Sequence, residues 1–269
     1  MKRKTSSDFI FQLFGLMLSV IIVHAAYVAV IRPNADAIVK HQLEQQASGQ
    51  PYVQQRSMYV VLKDYEQETC FVLMLWALFI MGNKAAAALA EKRVLGKQLL
   101  QVQSGSSILP EDSREYARTL QNLPEKEQQM MAPRTLLMAL QRFGSTANVA
   151  AAATAVKDTC EAESDRLDSE LSMVRYIAWA IPSIGFIGTV RGIGEALGQA
   201  HKAVEGDIAG VTISLGVAFN STFIALVISI FIMFFSHQLQ LLQERLVQQT
   251  QDYCDGNLLS HLKVNNLKE

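Results

Sequence analysis

The sequence of 269 residues has little of what most chemical sites require. Its three cysteines, Cys70, Cys160 and Cys254, lie too far apart for a zinc-ligand spacing and form no even disulfide framework. The five histidines are equally scattered, so the sequence predicts no metal site and no cofactor. Lysine and arginine number 24 against 25 acidic residues, and the chain therefore lacks the basic excess that nucleic-acid binding needs. With no visible nucleophile–base pair and no P-loop or nucleophile elbow, we expect no enzyme.

What the sequence does contain is apolar blocks that alternate with charged, glutamine-rich ones, which is typical of an integral membrane protein. The first apolar block, residues 9–31, follows Lys2, Arg3 and Lys4. Its roughly 23 residues suffice to span a bilayer and exceed the core of a signal peptide. We therefore predict an uncleaved first membrane helix, and the basic start favours a cytoplasmic N-terminus.

The whole pattern predicts an all-α integral membrane protein with four transmembrane helices and long helices projecting into the cytoplasm. The predicted segments are a cytoplasmic N-terminus with the first transmembrane helix (1–31), an extracytoplasmic loop (32–69), a second transmembrane helix (70–90), a cytoplasmic helical domain (91–175), a transmembrane hairpin (176–236) and a cytoplasmic helical tail (237–269). The second span has a short apolar core and crosses the bilayer only if Lys84 reaches the headgroups.

Within the predicted cytoplasmic domain, a loop around residues 104–107 precedes a helix from Glu111 to Leu123. Pro124 and Pro133 are expected to interrupt the helices that follow. Residues 135–157 are alanine-rich and predict a helix that packs closely against a neighbour, with a linker as the alternative.

The predicted hairpin carries two stripes of small and hydroxyl residues. Their members recur every three or four positions and so share one face of each helix: Ala178, Pro182, Gly185, Thr189, Gly192 and Ala196 on the first, and Ser214, Ala218, Ser221, Thr222, Ala225 and Ser229 on the second. Small faces let membrane helices approach closely, and a hydroxyl at mid-membrane can serve a polar path. Because such stripes are costly to expose to lipid, we expect several copies to bury them around an axis.

Thr189 and Thr222 are predicted to lie at one depth. At about 1.5 Å per residue, Thr189 lies about 16 Å into a helix that enters the membrane near Ala178. Thr222 lies about 16 Å into one that enters from the other side near Val211. Two hydroxyls at mid-membrane can hydrogen-bond a carboxylate supplied by another chain. The alternative is that each bonds a carbonyl of its own preceding turn.

The hairpin resembles the MotA/TolQ/ExbB proton-channel family. One motif is PSIGFIGTVRGI (182–193), which is similar to the family's proline-led signature with its G-T-V-x-G core. The other is GVTISLGVAFNSTFIAL (210–226), with its matched threonine. The order of spans, the long polar segment and the helical tail also fit that family.

The resemblance implies the channel-forming subunit of an ion-driven membrane motor, with protons as the expected ion. In that family, a pentamer surrounds a dimer of a single-span partner of the ExbD, TolR or MotB type, whose membrane aspartate carries the ion. The implied location is a bacterial inner membrane, with both termini cytoplasmic. The implied ion pathway includes Thr189, Thr222, Ser221 and Asn220. The implied positions for packing and flexing of the pore helices are Pro182, Gly185, Gly188, Gly192, Ala218 and Ala225.

Arg191 departs from the family pattern, which has an apolar or aromatic residue at this position. A membrane arginine is costly unless it is paired or near the interface. Glu195 lies one helical turn further on, so we predict an Arg191–Glu195 ion pair near the outer mouth of the path.

The predicted spans hold no acidic residue in their deep portion, so this chain alone does not carry a proton across. That absence favours a motor subunit with an acid-bearing partner, which converts ion flow into rotation or force. The alternative is a four-span membrane scaffold or adaptor that conducts no ions. An adaptor has no need of two threonines matched in depth.

Overall fold

A computed structural model describes residues 2–47, 57–100, 102, 106–204 and 208–264. In these residues the chain is helical and has no β-strand, apart from an isolated bridge between Ile108 and Leu262. Four of the described helices are long and apolar enough to cross a membrane: Phe9–Gln42, Tyr65–Leu95, Val149–Gly198 and Ala209–His261. The predicted all-α class is thus confirmed, and so is the presence of four helices long and apolar enough to span a membrane.

The first helix, α1 (Lys2–Ala26), continues through a π-helical turn (Tyr27–Ile31) into α2 (Arg32–Ala47). The remaining helices are α3 (Met58–Leu62), α4 (Tyr65–Leu95), α5 (Ser113–Gln121), α6 (Glu125–Gln128), α7 (Met131–Thr146), α8 (Val149–Glu170), α9 (Ser172–Gly198), α10 (Ala200–Val204) and α11 (Ala209–Asn257), with a 3₁₀ turn at Leu259–His261. Most of the predicted loop 32–69 is therefore helical, and residues 48–56 lie outside the described part. Residues 104 and 105 of the predicted loop 104–107 also lie outside it.

The chain divides into two compact units. The first unit comprises residues 1–82 and 173–236, and the second comprises residues 83–172 and 237–269. Both sequence-matched motifs lie in the first unit.

The second unit has a closely packed apolar core. Leu136, Leu140 and Phe143 of α7 are fully buried there with Val156 of α8. Alanines on both helices allow this close approach, as the alanine-rich sequence predicts. Glu163 is buried beside the core, where Arg134 and Arg166 pair with its carboxylate. Lys84 forms an ion pair with Glu170 at 2.8 Å.

The prediction of one helix from Thr135 to Lys157 is wrong. The chain breaks at Ala147, which has a left-handed conformation with φ of 48° and ends α7. Asn148 then caps α8 by accepting the amide hydrogen of Ala151 at 3.2 Å. Pro133 does not interrupt a helix either, because it lies in the first turn of α7, where a missing N–H is tolerated. The sequence held a local signal for this break that the prediction missed, because Asn148 is a favoured helix N-cap residue and follows Gly144, Ser145 and Thr146.

Ala147→Gly is expected to stabilise the second unit. A residue with a side chain is strained in the left-handed region, and glycine is not. The backbone hydrogen bond from Ala147 to Phe143, at 2.8 Å, would be kept. We expect a gain of about 0.5–1 kcal/mol in the free energy of unfolding, measured by thermal denaturation in detergent. Ala151→Gly, inside α8, should lower stability by a similar amount. A lower melting temperature for Ala147→Gly would contradict the assigned conformation.

Candidate functional site

Helices α9 and α11 of the first unit pack against each other, antiparallel, through their small residues. A Cβ atom at Gly192 would lie 2.7 Å from the carbonyl oxygen of Ser214 and 2.8 Å from the amide nitrogen of Ala218. One at Gly188 would meet Ser221, and one at Gly185 would meet Ala225. Only glycine allows backbones this close. Most of the two stripes is therefore buried within one chain, whereas Pro182, Thr189 and Thr222 stay half-buried. Covering the stripes does not by itself require several copies.

The outer face of α11 has the opposite character. Phe219, Phe223, Leu226, Ile230 and Met233 are all exposed. This bulky face suits lipid or another copy of the chain.

Thr189 and Thr222 meet at the centre of this helix pair, and their hydroxyl groups are hydrogen-bonded to each other. Thr189 Oγ1 also lies 3.3 Å from the carbonyl oxygen of Gly185 and 3.0 Å from that of Ala218. Thr222 Oγ1 lies 3.0 Å from the same Gly185 oxygen. The equal depth inferred from the sequence corresponds to this direct contact. Thr189 also bonds a carbonyl of its own preceding turn, that of Gly185, as the alternative predicted. That oxygen is only one of its three hydrogen-bond partners.

The threonine pair can exchange hydrogen bonds. Each hydroxyl has one proton and two acceptor lone pairs. Two protons are thus shared among two carbonyl oxygens and the facing hydroxyl, so more than one arrangement satisfies the pair. Both side chains are half-buried, and a group outside the pair can reach them. The pair can therefore donate to a carboxylate and accept from a carboxylic acid.

Ser221 and Asn220 flank Thr222 but differ in setting. Ser221 is buried against Gly188 and donates to the carbonyl oxygen of Val217, one turn earlier on its own helix, at 2.9 Å. Asn220 lies on another side of α11, where it lines a small cavity with Gln42 and Lys63. The structure thus brings three of the four predicted pathway residues into the α9–α11 interface and places Asn220 apart.

Pro182 lies inside α9, which remains one continuous helix. Because proline has no N–H, the carbonyl oxygen of Ala178 loses its usual helical donor. Ser229 of α11 supplies a replacement, since its hydroxyl donates to that oxygen at 2.9 Å. Ser229 of the second stripe thus supplies the hydrogen bond that the backbone carbonyl of Ala178 lacks because of Pro182 in the first stripe.

Arg191 forms a charged cluster beside the threonine pair. It donates to Glu195 at 2.8 Å and, through two nitrogens, to Glu66 at 2.7 and 2.9 Å. The bidentate pairing to Glu66 is the stronger geometry. Glu66 lies in the first turn of α4, and a Cβ at Gly188 would lie 3.2 Å from its Cγ. Sequence reasoning missed Glu66, because a partner 125 positions away leaves no periodic signal.

A second charged cluster joins the first two predicted spans, and it too was missed from the sequence. Glu68 is buried, accepts from Arg32, and lies 2.7 Å from Nδ1 of His24. The guanidinium of Arg32 also lies over the ring of Tyr65, 4.4 Å from its centroid. Glu66 and Glu68, which both lie in the first turn of α4, are the sequence signal that could have indicated the two clusters.

The described residues contain no group of three or more His, Cys, Asp or Glu arranged to hold a metal ion. The chemistry of the site therefore rests on hydroxyls, backbone carbonyls and one arginine–carboxylate cluster.

Comparison with known proteins agrees with this geometry. Residues 126–252, which are 127 of the 269, match the model of the MotA/TolQ/ExbB proton channel family. The resemblance inferred from the two motifs is thus confirmed over this segment, which contains Thr189 and Thr222. No curated protein and no solved structure gives a significant match.

Proposed function

We propose, from the premise that residues 126–252 belong to the MotA/TolQ/ExbB proton channel family, that this membrane protein is the channel-forming subunit of a proton-driven motor. It couples proton flow to rotation or force through a single-span partner that bears a membrane aspartate. The observation that carries the proposal is the half-buried pair of threonine hydroxyls, which lies inside the family-matched segment.

The proposed mechanism follows from the hydrogen bonds that two hydroxyls can exchange between partners. When the partner's aspartate is ionised, the threonine pair donates hydrogen bonds to the carboxylate and lowers the cost of a charge at mid-membrane. When a proton neutralises that aspartate, the hydroxyls return to the carbonyl oxygens of Gly185 and Ala218. The partner then binds that subunit less tightly and can move to the next subunit.

We further propose that the subunit forms a homopentamer in the bacterial inner membrane with both termini in the cytoplasm. The bulky exposed face of α11 supports contact with other copies, because the small-residue stripes are already used within the chain. Residues 91–175 and 237–269 then form the cytoplasmic region. Thiol labelling of intact cells tests this orientation: a cysteine at position 50 should react and one at position 5 should not. The reverse pattern would refute it.

The experiment that tests the channel uses the complex purified from its native membrane through a tag on this chain. Native mass spectrometry should show five copies of the 29.8 kDa subunit with a smaller single-span protein. Liposomes that contain this complex and a pH-sensitive dye should acidify when a potassium-diffusion potential is applied. A monomer without a partner, and without proton flux, would support the scaffold alternative and end the motor proposal.

A further inference from the structure

Unpaired polar atoms concentrate in one part of the first unit. Five buried side-chain atoms lack a hydrogen-bond partner among the described residues, and four of them are Tyr27 Oη, Gln42 Nε2, Asp64 Oδ2 and Gln67 Oε1. Each such atom lowers the stability of the folded state when nothing compensates it. Groups of this kind in native proteins usually bind ordered water.

A small, mostly apolar cavity borders Gln42, which carries one of these atoms, and Lys63, the residue before Asp64. Its volume is about 20 Å³, enough for one water molecule, and its polar lining comes from Gln42, Lys63 and Asn220. Gln42 is only 6% exposed, and its amide nitrogen is one of the unpaired atoms. A water bonded to Gln42 and Asn220 would satisfy that amide and give Asn220 a role.

Asp64 follows Lys63 along the chain and interacts electrostatically with Arg191. Burial raises the pKa of the Asp64 carboxyl, whereas the neighbouring ammonium of Lys63 and guanidinium of Arg191 act to lower this pKa. The charged and titratable groups that act on it from the surrounding elements are Lys63, Glu66, Arg191, Glu195 and Tyr27. Opposed influences of this kind suit a carboxyl that takes up a proton and also gives it back.

Contacts continue from Asp64 to the threonine pair. Asp64 interacts electrostatically with Arg191, and Arg191 is bonded to Glu66. Glu66 in turn lies against Gly188, the residue before Thr189. The Asp64 carboxyl and the hydroxyl pair are thus linked, within one unit, by an electrostatic interaction, an ion pair and a close contact.

We propose that Asp64 is a proton-accepting site of this chain, fed by water in the cavity of Gln42, Lys63 and Asn220, on the route to the threonine pair. A hydronium ion transfers its proton to Oδ2 of ionised Asp64 and leaves as water. The resulting carboxylic acid then releases the proton to a water molecule on the threonine side. The inference rests on the proposed channel function, because it names where that channel takes up its protons.

A capping role is the competing explanation, since Asp64 directly precedes α4. Asparagine and serine cap helices as well as aspartate does, but neither side chain takes up or releases a proton near neutral pH. Asp64→Asn and Asp64→Ser therefore keep the cap and remove the proton site. They also remove the cost of ionising a buried carboxyl with a raised pKa, so the folded state should be no less stable above the usual pKa range of aspartate.

The first test is infrared titration of the purified chain in nanodiscs with ¹³C-labelled aspartate. The native spectrum should contain a protonated-carboxyl band that persists to a pH at which exposed aspartates are ionised. Asp64→Asn should lose this band. Asp36→Asn, which changes an exposed aspartate of the same unit, should keep it. A band that survives in Asp64→Asn would overturn the proposal.

The second test is proton flux through the purified complex in liposomes. Asp64→Asn and Asp64→Ser should lower flux at least tenfold, and Asp64→Glu should retain most of it. Full flux in Asp64→Asn would overturn the proposal even if the infrared band were lost. If the native complex conducts no protons, the channel function itself fails. The infrared titration, which needs no partner, then still decides whether Asp64 accepts a proton.

Discussion

Thr222→Val is expected to fold and assemble normally but to abolish proton flux and the work coupled to it. Valine has nearly the shape of threonine, so the contact of α9 with α11 is kept. The substitution removes the hydroxyl bonded to Thr189 and to the carbonyl oxygen of Gly185. The stability cost of such a bond is about 0.5–1.5 kcal/mol, which a packed helix pair tolerates. Proton flux is far more sensitive, because the partner's carboxylate would lose one of its two hydroxyl donors at mid-membrane.

A matched control exists on the same helix. Ser229→Ala also removes a hydroxyl that donates across the interface, at 2.9 Å to Ala178, but it lies about two turns away from the pair. It should cost similar stability and leave proton flux near the native level. Thr222→Ser, which keeps a hydroxyl, should retain substantial flux. Equal flux in Thr222→Val and Ser229→Ala, measured in dye-loaded liposomes, would refute the role of the threonine pair.

Gly192→Ala is expected to lower both the stability of the first unit and its proton flux. The new methyl group would lie 2.7 Å from the Ser214 oxygen and 2.8 Å from the Ala218 nitrogen, which are backbone atoms that cannot move aside alone. The helices must separate, and overpacking of this kind costs about 1–3 kcal/mol. Thr189 lies one turn away on the same face, so its bond to the Ala218 carbonyl oxygen would lengthen.

Gly194→Ala provides the comparison two positions along the same helix. A Cβ there would meet no atom within 4 Å, so alanine should be neutral or stabilise by up to about 1 kcal/mol through its higher helix propensity. Gly192→Ala should have a lower melting temperature in detergent and a lower proton flux than Gly194→Ala. If Gly192→Ala matches Gly194→Ala in melting temperature, the close packing of α9 on α11 is wrong.

The sequence by itself determined the features that depend on length and local period. Runs of apolar residues long enough for a bilayer predicted four spanning helices, and the described residues contain four helices of sufficient length and apolar character. The spacing of small residues identified the buried faces of α9 and α11. Counting residues from the membrane surface predicted that Thr189 and Thr222 lie at the same depth. Each of these properties is encoded within a window of one or two helices, where rise and period are fixed by backbone geometry.

The tertiary structure alone decided which faces and charges meet. It turned the two stripes toward each other inside one chain and gave Arg191 a second partner in Glu66. It also separated Asn220 from the threonines. Contacts between residues distant in sequence depend on how rigid helices pack as whole surfaces, and no local pattern of residues specifies that choice.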